Sequence, residues 1–331
     1  MRHPSPRLAL GAVLGLALAL AGCAKPEDVI VKTGEGKALT APAIDADPLA
    51  LLPGNAVGVT TVDAKAMFQS NFGGALLSIV RARSPLPAAA EFDPARDLER
   101  VYVGSYSMQG ADVAGVAIGT FKPDKIAAAE GQLKTVAGMP VVKSTYAKRT
   151  LYTAGGLGFT VLTERTVIFG NETGIRRALD RIEEGRVQRR LTPWMVDILE
   201  KPSAPLSAGA DLTSQPLPKA ARSELEFLEG MKTGSLVGNF QDPGLNLAGT
   251  MTYEKPEDAK RGADKMLDLY RQLGNYSIVM ALFGFPQPIK KLDAQAEEDK
   301  VRFVAGVDGQ AVAVLLDKAQ SYLASVSPPP K

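Results

Sequence analysis

Three carboxylates, Asp93, Asp97 and Glu99, crowd into one short stretch around Phe92-Asp93-Pro94-Ala95-Arg96-Asp97. Carboxyls held close together can divide into an acid and a base, so acid–base hydrolysis without histidine is the first chemistry to weigh. Asp93 before Pro94 also has the arrangement of a cap on a short helical turn, where an Asp side chain accepts backbone N–H groups and proline suits the first position. Glu297-Glu298-Asp299 reads as a solvated turn before Val301. Neither cluster has the oxygen-ligand spacing of a calcium loop. A Ser-Lys pair is the other histidine-free route to hydrolysis, and no motif marks one.

Glycines that could cradle phosphate are placed differently. Ala154-Gly155-Gly156-Leu157-Gly158 is followed by a strand pattern, whereas a dinucleotide loop opens a helix, so it reads as a hairpin turn. Gly34-Glu35-Gly36-Lys37 lacks phosphate-loop spacing, and Gly104-Ser105 lies inside a strand pattern rather than at a nucleophile elbow. His3 is the only histidine and Cys23 the only cysteine. Disulfides, His-Cys zinc sites and every Ser-His or Cys-His triad are therefore excluded from the body of the chain. No metal or cofactor site is expected.

Two further groups could make contacts rather than do chemistry. Arg176, Arg177 and Arg181 open the densest basic stretch, which continues to Arg186, Arg189 and Arg190. Beside a membrane they could face anionic headgroups; Asp180, Glu183 and Glu184 interrupt them and favour a solvated helix face. Ile278 to Phe285 is the longest apolar run after the N-terminus and extends to Ile289. It is too short to span a bilayer and reads as a buried helix or as an apolar groove wall, with Ile278, Val279, Leu282, Phe283 and Phe285 as contact residues.

The N-terminus carries Arg2 and Arg7, an apolar run from Leu8 to Ala21, and the sequence Leu20-Ala21-Gly22-Cys23. A basic start, a short apolar stretch and small residues are the layout of a secretory signal. Leu20-Ala21-Gly22-Cys23 resembles the lipobox of bacterial lipoproteins. The resemblance implies cleavage between Gly22 and Cys23, a diacylglycerol on the Cys23 sulfur and a palmitate-type acyl group on the freed amine. Several chains at about 0.8 kcal/mol per buried methylene anchor a protein stably. Ala24 stands where inner-membrane lipoproteins often carry Asp, so in an organism with two membranes the resemblance implies the outer membrane, facing the periplasm. Without Arg2 and Arg7 the chain carries 36 basic and 36 acidic residues, and no single-sign field points to nucleic acid.

Elements must hold any of these groups in place. Residues 23 to 50 read as a lipidated tether and the last six, 326 to 331, as a Pro-rich tail. Between them, strand and helix patterns alternate twice. Val57 to Val62 reads as a strand and Ala64 to Arg81 as a helix; Thr145 to Thr153 and Phe159 to Gly170 read as strands before a helix over Thr173 to Glu184. Tyr102 to Tyr106 parallels Leu236 to Phe240, Ala114-Gly115 parallels Ala248-Gly249, and Phe159 to Leu179 can be laid on Phe303 to Leu323 without a gap. An internal duplication is expected, with halves at 51–190 and 191–325. Each half would be an antiparallel sheet with helices on one face, an α+β fold. The expected function is a non-enzymatic, lipid-anchored binding or scaffold module of the cell envelope with a protein partner. The alternatives are a carrier of a lipid or other apolar ligand, and a histidine-free hydrolase.

Overall fold

A computed structural model of the protein describes residues 38–107, 112–136, 139–201, 203–215, 225–275 and 286–326. The described residues open with α1 (Ala41–Ala46) and α2 (Pro48–Leu51), followed by β1 (Gly58–Asp63), α3 (Ala64–Gln69), α4 (Asn71–Arg83), α5 (Pro94–Asp97), β2 (Leu98–Ser105), β3 (Val113–Gly119) and α6 (Pro123–Ala128). Next come β4 (Val142–Tyr146), β5 (Arg149–Ala154), β6 (Leu157–Val161), β7 (Thr166–Asn171), α7 (Glu172–Glu183) and α8 (Pro193–Leu199). The remainder is β8 (Leu206–Asp211), β9 (Met231–Asn239), β10 (Gly244–Tyr253), α9 (Pro256–Asn275), β11 (Ile289–Glu297), β12 (Lys300–Asp308) and α10 (Gly309–Val326). The fold is α+β and dominated by antiparallel strands, as the hairpin patterns predict.

Among the described residues one sheet of twelve strands runs in the order β11-β12-β10-β9-β8-β1-β2-β3-β7-β6-β5-β4. The sequence predicts a separate sheet for each half. The strands instead join, because β1 and β8, the first strands of the two halves, pair with each other from Gly58–Ala210 to Val62–Leu206. Helices cover both faces rather than one. In β3 four consecutive residues, Ala114 to Ala117, are buried, which requires cover on both sides of the strand.

On one face, Val59, Val116 and Ile168 pack with Ile175, Leu179 and Ile182 of α7, Leu199 of α8, and Leu49, Leu51 and Leu52 from α2 and its end. On the other face α9 lays Ala259, Ala263 and Met266 against Met251, Tyr253 and Val301. In the sequence these three share one helical stripe with Leu267, Tyr270 and Leu273; Leu273 is 39% exposed.

The predicted tether ends earlier than residue 50. Ile44 is fully buried, Leu49 is 2% exposed, and Leu39 N–H donates to the Ile182 carbonyl. Residues 38–50 are part of the body. Pro42 and Pro48, which read as tether composition, stand in the first turns of α1 and α2, where proline's fixed φ suits a helix. The predicted helix from Ala64 to Arg81 is two helices. Ser70 breaks it, accepting from Gly73 N–H at 3.1 Å and donating to the Met67 carbonyl at 2.6 Å. A Cβ at Gly73 would lie 1.9 Å from that carbonyl oxygen, so the corner requires glycine.

Thr145–Thr153 and Phe159–Gly170, each predicted as one strand, are hairpins. The β4–β5 turn places Ala147 and Lys148 at φ 44° and 61°. Two positive φ values suit Asn-Gly, and their absence from the sequence hid the turn. Replacing the pair with Asn-Gly is expected to raise stability by about 1–2 kcal/mol, read as a higher urea midpoint with unchanged slope.

Candidate functional site

The predicted contact residues divide into those the structure places and those it does not describe. Gly22, Cys23, Ile278, Val279, Leu282, Phe283 and Phe285 lie outside the described residues. The three arginines of α7 are each engaged. Arg176 pairs with Glu172 and lies 4.5 Å from the Tyr146 ring centroid; Arg177 pairs with Asp112 and lies 5.0 Å from that of Tyr106. Arg181 is 8% exposed. It donates to the carbonyls of Leu52 and, at 2.7 Å, Gln188. Burial, with Arg190 nearby, pushes its guanidinium down to about 10. The headgroup contact expected of Arg181 is therefore corrected: its position on α7 turns it inward beside Ile182, and both of its terminal nitrogens already donate to backbone carbonyls, while its buried Nε has no partner.

The carboxylate cluster is likewise taken up by arginines. Asp93 caps α5, accepting Ala95 N–H at 3.0 Å, and binds Arg81 through both oxygens at 2.9 and 3.0 Å. Asp97 binds Arg96 and Glu99 binds Arg165. Burial pushes the Asp97 carboxyl up, but Arg96 and the Asp93 N–H outweigh it and hold it below its ordinary value. Arg165 does the same for Glu99. A general acid needs the opposite displacement.

Two apolar clefts lie elsewhere, on the face of the sheet that carries α6 and α9. A first cleft of about 570 Å³ is lined by Val80 of α4, Phe92, Phe121, Ile126 of α6, and Tyr152, Phe159 and Phe169 from the strands. A second, of about 540 Å³, is lined by Thr60, Val103, Leu236, Met251 and Phe303 from the strands, Met231, and Met266, Leu269 and Tyr270 of α9. Among the described residues, no charged one lines either cleft. Both volumes fall in the range of small-molecule sites, which are apolar with few polar groups. Leu269 and Tyr270 on one side, and Ile289 and Leu292 on the other, bracket residues 276–285 in the chain and line the second cleft. A third cleft, of about 480 Å³, is more polar and includes Lys201, Asn239, Asn246 and Lys291.

One row of directly paired residues floors both apolar clefts. From β11 to β5 it reads Ala294, Phe303, Gly249, Leu236, Ala208, Thr60, Val103, Gly115, Phe169, Phe159, Tyr152. Direct partners in adjacent strands share a face. The row is nearly the same outward in both directions from Thr60–Ala208: a branched apolar residue, a glycine, then a phenylalanine. Tyr152 and Phe159 stack at 5.0 Å between centroids.

The antiparallel architecture has a counterpart among solved structures. Crystal form III of TP0453 aligns with a TM-score of 0.51 over 82% of this chain and 98% of that one, at 9% identity. Crystal form IV of the same protein gives 0.48 at 10% identity, over 82% and 96% of the two chains. The likeness is one of fold. No family model and no curated protein matches the chain.

Of the cleft residues, the sequence points to Ile289 alone, at the end of the apolar run read as a groove wall, and it lines the second cleft. A further signal is the repeated Ala-Gly pair, Ala114-Gly115 and Ala248-Gly249, whose glycines both fall in the row. Strand alternation alone did not distinguish a cleft floor from ordinary core.

Proposed function

We propose that the protein binds apolar chain-like molecules, of the kind represented by a lipid acyl chain, one in each cleft. The observation that carries this reading is the cross-sheet row: it floors two clefts of small-ligand volume whose linings, among the described residues, hold no charged side chain. Inserting a methylene into such a site gains about 0.8 kcal/mol, and an ionised group there would be costly. The uncharged linings support the apolar-carrier reading over the scaffold reading expected from sequence, and binding over hydrolysis. The lipobox resemblance at Gly22-Cys23 supports anchoring through acylated Cys23, which would keep the clefts near a source of such ligands.

We further infer that the two halves arose by duplication. The pairing registers support it, since Gly115 is opposite Phe169 as Gly249 is opposite Phe303. On this register Phe169 corresponds to Phe303, in place of the gap-free alignment on Phe159, and Val103 corresponds to Leu236.

The test is native mass spectrometry of the full chain purified from membranes, followed by titration of the delipidated protein with a fluorescent fatty acid. The expected result is co-purification of apolar molecules and saturable binding of two equivalents. No co-purifying molecule and no saturable binding would overturn the reading.

A further inference from the structure

We propose that Gly115 is a specificity-determining residue of the first cleft: by leaving room for the Phe169 ring on the sheet, it sets the length of apolar chain the cleft accepts. This rests on the reading of the clefts as ligand sites.

Gly115 and Phe169 are direct partners on β3 and β7. A Cβ at position 115 would lie 2.3, 2.6 and 2.7 Å from the Phe169 Cζ, Cε1 and Cε2 atoms, whereas carbon atoms in contact settle at about 3.5–4.0 Å. The ring therefore lies across the glycine, flat against the backbone. The three nearest atoms all belong to the far end of one side chain, so a methyl group at 115 meets the ring first and displaces it. The ring is part of the lining of the first cleft. Beyond Gly115 in the row stands Val103, which lines the second cleft. The ring over Gly115 thus sits where the two floors meet, and lifting it off the sheet pushes it into the first cleft. Gly249 holds Phe303 in the same way, with a Cβ 2.5 Å from Cζ, but that Cβ would also lie 2.6 Å from the Ser235 carbonyl oxygen. A substitution at Gly249 would disturb the backbone; one at Gly115 meets a movable side chain first.

The experiment displaces a fluorescent fatty acid from the full delipidated chain with straight-chain alcohols from octanol to octadecanol. It compares wild type with Gly115→Ala, Phe169→Ala and the double variant. In Gly115→Ala, displacement by the longest alcohols is expected to split into two phases of similar amplitude. One keeps wild-type affinity, from the second cleft, and the other is about tenfold weaker, the equivalent of losing room for roughly two methylenes. Octanol is expected to bind within about twofold of wild type. Adding Phe169→Ala removes the ring that the methyl displaces and restores the long-chain affinity. A wild-type profile in Gly115→Ala overturns the proposal. So does a uniform loss across all chain lengths that the double variant fails to rescue, which marks a general disturbance of the strand. If wild type itself displaces no probe with any alcohol, the ligand reading falls and this proposal falls with it.

Discussion

Arg181→Ala is expected to remove about 3 kcal/mol of folding stability, measured by urea unfolding. The side chain is 8% exposed and ties the carbonyl that follows α2, at Leu52, to the Gln188 carbonyl beyond α7. Truncation leaves two acceptors without donors, each costing about 1–3 kcal/mol, and a cavity where the stem packed. Part of that loss is offset, because burial disfavours the guanidinium charge, as its value of about 10 indicates, and the variant no longer carries it. Arg181→Met separates the effects: it keeps the stem and deletes the charge, and is expected to lose only about 1–2 kcal/mol. Arg181→Lys is not a rescue, since one ammonium cannot reproduce two donors set apart on a rigid fork. A surface arginine reserved for headgroups would change stability by no more than about 0.5 kcal/mol when truncated. Such a result would return Arg181 to that role.

Asp45→Ala is expected to cost a similar amount, about 3 kcal/mol, by the same measurement. Its Oδ1 accepts the hydroxyls of Thr163 and Thr166, both at 2.6 Å. Thr166 is fully buried, and the Thr163 hydroxyl also accepts the Arg165 and Thr166 N–H groups that shape the β6–β7 turn. Hydrogen bonds to a charged acceptor are worth about 1.5–3 kcal/mol each. Asp45→Asn retains an oxygen at the same place and is expected to lose about half as much. Equal losses in the two variants would mean that the charge, rather than the acceptor geometry, holds the turn.

Asp45 also illustrates which parts of this fold were legible. The class, the antiparallel pairing and the stripe of α9 follow from period and punctuation, because each is a local signal repeated over many residues. Residues 38–50 carry no such signal. Their helices are too short for a periodic stripe, and Pro42 and Pro48 look like tether until a partner for Ile44 and Asp45 is known. The hairpins at Ala147-Lys148 and Thr163–Arg165 escaped for a related reason: their turns are held by positive φ in ordinary residues, or by a threonine hydroxyl, instead of by glycine or asparagine. The clefts were the least legible. Phe92, Phe121, Phe159 and Phe169 come from separate elements, and only the strand register brings them to one face. Arg181 looked like its neighbours in the arginine run, and its helical phase alone set it apart.

The pairing of β1 with β8 bears on what either half would do by itself. Thr60 faces Ala208 at the centre of that ladder, with Val59 opposite Gly209 and Thr61 opposite Ser207. A half released from the other would expose a six-residue edge strand whose outward-pointing N–H and C=O groups, those of alternate residues, are unpaired, the kind of edge that recruits another chain. Because corresponding positions meet at the middle of the ladder, a second copy of the same half could bind there isologously, residue i to j and j to i. On the duplication inferred above, a single half would form one side of a twofold dimer, and the continuous chain would hold that pairing at an effective concentration that separate copies would not reach.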